Sequence, residues 1–461
     1  MDTTPANGNT GATGATRNPG TGGGYTAAVP STASRRDYPL LVFGNFVNEL
    51  MVTVPVHRHA DALVAVSPRK IWLTRPGDVL VTPRAMSKPL CDYACELLGF
   101  APSEVTLLHA PSEGLATLTA AVRANGLVER LRAEAGSRPG IRFQAFAQDR
   151  PALELAAELG VPVEGYGESG VPDRAVEAAY AVNTKSGFRR IATDLGIRVA
   201  EGHTCAEPEE LAAALRKTLD TKGAAVVKPV RGSNGYGVRF WDANDLSRLD
   251  AELAGYLDSV AEQPPGWVVE ERLDFARVVT VEMEVYADGP QVLHVGEMRT
   301  PNGSFSGQVT PLVASSGATD ELVRGGLALG RLLHERGYRG PFDIDGGITG
   351  DDTLYATESN LRKTGCTYLD LLVRRLLGEE GAAASVWIAD SRPGGVEADF
   401  AAGLARVRAA GLDFAPGADH GVVLTADTLA FDGKWRYLVL GRTREQTEEL
   451  EARLADTLKL A

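Results

Sequence analysis

From Tyr38 onward, short apolar runs recur along the chain, and helical patterns fall between several of them. Leu40–Phe43, Leu63–Val66, Val79–Val81, Val105–His109 and Ile141–Phe146 are too short for helices and read as buried strands. Pro89–Leu98 and Gly114–Val128 carry helical spacing, and Gln148–Leu159 predicts a helix closed by Gly160. Strands alternating with helices predict an α/β unit with a mainly parallel sheet over residues 38–182.

A second α/β region occupies residues 183–380. Asn183 or Thr184 can cap a helix through Leu195, with Gly196 beyond it. Thr204 and Glu207 have capping-box spacing for a helix through Leu219, ahead of Gly223. Strands follow at Ala224–Lys228, Val268–Val269 and Val278–Tyr286, with a helix over Leu322–Arg336. Asp343–Ile348 and Thr353–Asn360 form a hairpin pattern, and Tyr368–Leu377 a closing helix. Gly378–Ala384 reads as a linker. Residues 385–461 read as a small terminal domain, with strands near Val422–Thr425 and Trp435–Leu440 and a charged helix from Glu445. Residues 1–36 are mostly Gly, Thr, Ala, Pro, Asn and Ser and predict a disordered tail.

Composition narrows the function classes. The 461 residues carry 47 Lys+Arg against 60 Asp+Glu, a net charge of −13. That argues against sequence-independent binding to nucleic acid or an anionic membrane. No window has the roughly 18 uninterrupted apolar residues of a membrane span. The first residues lack the basic and apolar regions of a signal peptide. Four cysteines exclude a disulfide scaffold and fit a reducing cytoplasm. Cys91 and Cys95 lie four apart on a helix with no partner set for zinc, and read as core. His57 and His59 read as a surface pair on a strand.

Two segments carry chemistry. In VVKPVRGSNGYGV (226–238) a buried strand ends at Lys228 and a loop with Gly232, Gly235 and Gly237 follows. Glycines let backbone N–H groups approach an anion, and a Lys at the base adds a point charge for phosphate. The spacing fits neither a P-loop nor a dinucleotide fingerprint. In DIDGGITGDDTLYATESN (343–360), hairpin pairing about a turn at Gly350–Thr353 sets Asp345 opposite Glu358 and Asp343 opposite Asn360. Four polar side chains then share one face, and a hard cation relieves the repulsion of their oxygens. A weaker signal is Trp267–Leu273, a strand running into Glu270-Glu271, whose backbone could meet an adenine edge.

The order of these parts resembles the ATP-grasp ligases over residues 183–378. The resemblance implies that Lys185, in NTKSGFRR, and Lys228 bind phosphate, with the loop residues Ser233, Asn234 and Gly235 closing over it. It implies that Glu270, Glu271 and Leu273 form the adenine hinge, and that Asp345, Glu358 and Asn360 hold Mg²⁺. The first domain resembles the pre-ATP-grasp domain, so the implied architecture is a pre-ATP-grasp α/β domain, a two-lobed ATP-grasp module and a small C-terminal domain. The sequence departs from the D-alanine–D-alanine ligases at two positions. Arg277 stands where those enzymes carry a ribose-binding Glu, with Asp274 as a substitute. Asp343 stands where they carry an Arg. Oxyanion stabilisation then falls to Arg362 or Arg299, both also candidate substrate contacts, and Asp343 is a candidate partner for a cationic substrate.

LLVFGNFVNE (40–49), ESNLRKTG (358–365) and the terminal domain resemble more closely the pheganomycin-type peptide ligases. That resemblance implies an ATP-dependent ligase joining a guanidino-bearing arylglycine-type acid to the amino terminus of a peptide, through an acyl phosphate, in peptide-antibiotic biosynthesis. Two other readings stay open: an ATP-grasp ligase of small amino acids, and a non-catalytic ATP-binding module. The terminal domain is a candidate homodimer contact.

Overall fold

The computed structural model describes residues 16–17, 25–26, 36–51, 57–112, 117–232, 235–261, 266–395 and 399–461. The polypeptide forms three main sheets. The first joins β1 (Leu40–Phe43), β2 (Val79–Thr82), β3 (Thr106–His109) and β4 (Arg142–Ala145) in the order β3-β2-β1-β4, all parallel. Its strands alternate sides, as the two-residue pleat requires. Leu41, Phe43, Val79 and Val81 pack on the helices Leu118–Ala124 and Arg150–Leu159. Leu40, Val42 and Leu80 face the other way, into a core described below.

The second sheet joins β5 (Gly202–Cys205), β6 (Ala224–Pro229), β7 (Arg239–Asp242) and β8 (Trp267–Glu271) in the antiparallel order β5-β8-β6-β7. Leu211 and Leu215 of the helix Pro208–Lys222 cover one face, against Trp241 and Val269. The third sheet has eight strands. β9 (Phe275–Tyr286), β10 (Gly289–Arg299), β11 (Gly307–Thr310), β12 (Gly340–Thr349), β13 (Leu354–Glu358), β14 (Val386–Pro393), β15 (Gly421–Ala426) and β16 (Lys434–Gly441) run in the order β13-β12-β9-β10-β11-β14-β16-β15. The helix Ser316–Glu335 lays Leu322, Leu329 and Leu333 on Val281, Met283 and Phe342 of this sheet.

Residues 385–461, read from sequence as a separate small domain, continue this third sheet. β14 pairs with β11 through Gln308–Ala389 to Thr310–Trp387. One core holds Leu40, Trp72 and Tyr93 of the N-terminal region together with Trp387, Trp435 and Val439. Trp72 Nε1 donates to Thr425 O at 2.8 Å, and Tyr93 OH to Asp413 Oδ1 at 2.8 Å. The physical reason is area: three strands and three helices cannot bury such large aromatic faces alone, and the free side of β1 and β2 needs cover.

Four local expectations are corrected. Leu63–Val66 lies in and beside a helix, His57–Ala65, where Ala and Leu outweigh one Val; His57 and His59 sit on that helix. Thr204 is a strand residue opposite Val268, and Glu207 with Glu210 makes the capping box. Gly378–Ala384 continues the helix Thr367–Ala384 past a break at Gly378, because Glu and Ala are strong helix formers. In the tail read as disordered, Thr16–Arg17 and Tyr25–Thr26 pair as an antiparallel ladder; its other residues before Arg36 lie outside the described ones. No described helix is long and apolar enough to cross a membrane, and all four cysteines are free and buried.

Because β14 is hydrogen-bonded into the sheet, deleting residues 385–461 exposes the edge of β11 and half of a core. The truncated chain is expected to lose its cooperative thermal transition by circular dichroism; a sharp melt would show this segment to be separable.

Candidate active site

The second sheet and the helix beside it offer two lysines. β6 carries Lys228 opposite Val268, and its Nζ lies 2.6 Å from Glu270 Oε2. Arg189, on the helix Lys185–Asp194, holds the other oxygen of Glu270 at 2.9 Å. Glu270 is therefore buried between two cations. Glu271 points to the other face, as strand alternation dictates, and meets Lys222 at 3.2 Å and the backbone N–H of Glu201 at 3.0 Å. Leu273 is partly exposed in the link to β9, and Asp274 is exposed beside it. Thr184 caps the helix that begins at Lys185, accepting from Gly187 N at 3.0 Å. Lys185 N donates to Val230 O at 2.9 Å, and its Nζ reaches Gly232 O at 3.3 Å. Gly235 and Gly237 hold φ of 75° and 72°, which a side chain would strain. Ser233 and Asn234 lie outside the described residues.

The third sheet faces these lysines with acid. Asp345 pairs with Glu358 across β12 and β13, through a one-residue bulge before Gly346 that shifts the rest of the hairpin. Asp343 N donates to Asn360 O at 3.3 Å, so both expected oppositions occur. On the next strand Thr280 opposes Asp345 and Glu282 opposes Asp343. Lys185 Nζ lies 3.0 Å from Glu358 Oε2 and ties the two sheets together. Burial pushes the Glu358 carboxyl up, but Lys185, Lys228 and Arg362 outweigh it and hold it below the usual range. The two lysines and Glu358 thus form one electrostatic unit.

Asn360 is the hub of the acidic face. Its Nδ2 donates to Asp343 Oδ1 at 3.0 Å and Oδ2 at 2.9 Å, and to Asp345 Oδ2 at 3.4 Å. Its Oδ1 accepts from Arg362 Nη2 at 2.6 Å. Asp343, read as a partner for a substrate cation, is taken by Asn360 instead. Burial drives the carboxyls of Asp343 and Asp345 well above their ordinary values, with Glu282 adding to the first and Asp343 and Glu358 to the second. Carboxylates that resist ionisation until positive charge arrives suit a cation site. Among the described residues no three His, Cys, Asp or Glu side chains form a set that could hold a metal by themselves. Asp345 and Glu358 offer oxygens to a divalent ion whose shell phosphate oxygens complete, and Asn360 would join them by turning its amide oxygen from Arg362.

One expected residue, Arg299, stands elsewhere. Arg299 lies on the opposite face of the sheet from Asp345, bonded to Asp390 at 2.8 Å and Glu451 at 2.5 Å. In the cross-strand rows, Thr280 and Gly296 align with Asp345, whereas Arg299 aligns with Gly307 three residues further on; an odd offset reverses the face. Arg277 pairs with Glu297 at 2.8 Å. Glu282 was not singled out from sequence, though acids alternating in Thr280–Glu284 were a signal. It is 1 % exposed and accepts from Thr367 Oγ1 at 3.1 Å and from Thr364 Oγ1. Burial lifts its carboxyl to about 8.

A family model described as the Pre ATP-grasp domain matches residues 67–161. Solved structures share the whole architecture: a biotin carboxylase–β-γ-ATP complex from Campylobacter jejuni (TM-score 0.57, 12% identity, 92% of each chain covered) and N5-carboxyaminoimidazole ribonucleotide synthetase from Thermus thermophilus (TM-score 0.54, 16% identity, 91% of this chain and 98% of that one). The chain has the ATP-grasp fold. In ATP-grasp terms, the second and third sheets are the two lobes that face each other across Lys185 and Glu358. A second family model, the PGM1 C-terminal domain, matches residues 402–454. A curated relative, the [butirosin acyl-carrier protein]–L-glutamate ligase of Niallia circulans, is 28% identical over 233 residues, 48% of this chain. The chain spans about half the length of that relative, 52%.

Two predictions follow from the charges. Arg299→Met leaves Glu451 and Asp390 unpaired and is expected to cost about 2 kcal/mol in urea titration; an unchanged stability would contradict the ion-pair role. For Glu282, the folded value of about 8 exceeds an unfolded value of about 4.3. Between those values the folded chain holds the extra proton, so this group's contribution to stability falls as pH rises through that window. Glu282→Gln is expected to flatten that fall by more than about 1 kcal/mol between pH 5 and 8.5.

Proposed function

We propose that the chain is an ATP-dependent carbon–nitrogen ligase that activates a carboxylic acid as its acyl phosphate and passes the acyl group to an amine. The observation that carries this reading is the Lys185–Glu358 contact, with Lys228 close by, where two sheets meet. Phosphate-binding cations on one lobe and clustered carboxylates on the other are what a metal–triphosphate complex needs.

Condensing a carboxylate with an amine in water is uphill, and phosphorylation gives the acid a good leaving group. In the reading, a carboxylate oxygen attacks the γ-phosphorus and ADP leaves; the amine nitrogen then attacks the acyl carbon, and phosphate departs as the amine loses its proton. Lys185 releases Glu358 and takes a phosphate oxygen, and Lys228 does the same from its pairing with Glu270. The backbone of Glu270–Leu273 edges the adenine. Asp345, Glu358 and Asn360 would hold Mg²⁺, which when bound neutralises charge along the triphosphate. Arg362, fixed by Asn360, stabilises the developing oxyanion. The glycine loop excludes the water that would hydrolyse the intermediate.

For the substrates, the reading is a guanidino-arylglycine-type acid and the amino terminus of a peptide, in antibiotic biosynthesis. It is supported by the match of residues 402–454, which falls within the segment whose sequence resembles the pheganomycin-type ligases. The name of the Niallia circulans relative favours a second reading, with an amino acid such as L-glutamate as one substrate. Product masses with peptide, amino-acid and carrier-protein partners separate the two.

Lys228→Ala and Glu358→Ala are each expected to lower acid-dependent phosphate release from ATP by at least about a hundredfold while leaving the fold intact by circular dichroism. Full turnover by either variant would remove that residue from the site.

A further inference from the structure

Lys70 lies on a short 3₁₀ turn, Ser67–Leu73, and is 1 % exposed, yet its ammonium group has no hydrogen-bond partner. Buried donors are nearly always paired. Nζ instead stands 5.1 Å from the ring centre of Phe46, 4.7 Å from Phe146 and 5.4 Å from Tyr368. Arg69 beside it stacks on Phe46 and Tyr368, and its Nε is also buried without a partner. Tyr368 is also a side-chain hydrogen-bond partner of Arg69, whereas the rings offset part of the charge of Lys70 without satisfying its donors.

The place is not arbitrary. Phe46 follows β1 and Phe146 follows β4, the two strands between which the order of the first sheet reverses. In open α/β sheets ligands sit outside the carboxyl ends of the strands at that crevice. Burial and the like charges of Arg69 and Lys363 hold the Lys70 ammonium well below its ordinary pKa, whereas Glu282 is the carboxylate that favours it. Glu282 is itself engaged by Thr364 and Thr367, so within the described chain Lys70 lacks a bonded anion. Glu282 lies two residues along β9 from Thr280, which faces Asp345. That is one pleat repeat, about 7 Å, from the metal-binding end of the cluster. Arg362, whose Nε is likewise unpartnered, couples electrostatically to both Glu282 and Glu358.

We propose that Lys70, with Arg69, receives the carboxylate of the acid to be activated, at the crevice between β1 and β4. The proposal rests on the ligase reading and extends it: the phosphates belong to Lys185 and Lys228, and the acid belongs to a cation pair supplied by the first domain. A carboxylate there completes the donors of Lys70.

The test uses the full chain loaded with Mg²⁺ and the non-hydrolysable ATP analogue AMP-PNP, with benzoate and phenylglycine as carboxylate probes in calorimetry. Wild type is expected to bind at least one probe, Lys70→Met to bind it at least about tenfold more weakly, and Lys70→Arg to recover most of the loss. AMP-PNP affinity is expected to stay unchanged in both variants. Equal probe affinity in Lys70→Met overturns the proposal, as does a nucleotide-loaded wild type that binds neither probe. Absence of AMP-PNP binding by wild type defeats the ligase reading itself. Should Lys70→Met not fold, a crystal structure of wild type with the probe decides: a carboxylate within about 3 Å of Lys70 Nζ supports the proposal, and one held elsewhere overturns it.

Discussion

The contact between Lys185 and Glu358 joins a cation carried on a helix of one lobe to a carboxylate carried on the central sheet of the other. Around it the molecule gathers more buried charge than a core of this size ordinarily tolerates: Asp343, Glu282, Arg362, Lys70 and Lys363, with Asp345 half-buried among them. Such a cluster persists only when its members are paired or share protons. Here Asn360 and Arg362 bond into it, Thr364 and Thr367 hold Glu282, and burial raises the carboxyl pKa of Asp343 and Asp345. The arrangement is stable as it stands and is poised to accept outside charge of either sign.

The fold serves that cluster by closing three bodies around it. The eight-stranded sheet supplies the acids, the four-stranded antiparallel sheet and its neighbouring helix supply the lysines, and the parallel sheet brings the Phe46–Phe146 crevice and Lys70. The C-terminal strands contribute no residue to the cluster. They extend the sheet from β11 and fill the far side of the first sheet with Trp387 and Trp435, which fixes the first domain against the acid-bearing strands. Arg299 belongs to this support, held by Asp390 and Glu451. The PGM1 C-terminal match therefore falls on a structural brace, and an effect of that segment on substrate choice would act through the placement of the first domain.

Local chemistry carried much of this into the sequence. The two-residue period of strands put Asp343 and Asp345 on one face, and the hairpin set Glu358 and Asn360 against them, although its turn is centred on Asp351 and a bulge supplies the one-residue difference. A Val-Val strand leading into Lys228 ahead of three glycines marked the strand and the loop after it. Each of these signals is confined to one short stretch of chain, so backbone geometry alone relates its members. The bulge at Gly346 escaped notice because one extra residue changes the register without changing the pattern of residue types.

What the sequence alone determined was therefore part of the set of elements, the acidic hairpin, and the strand that carries Lys228 into its glycine loop, each governed by hydrogen bonding between near neighbours. Tertiary structure decided which face of β10 Arg299 occupies, that residues 385–461 complete a sheet, that Asp343 belongs to Asn360, and that Lys70 is buried within electrostatic reach of Glu282, far from it in sequence. Those outcomes depend on which surfaces meet when the chain closes. Burial and long-range charge arise only from that meeting, and no local pattern of residues encodes them.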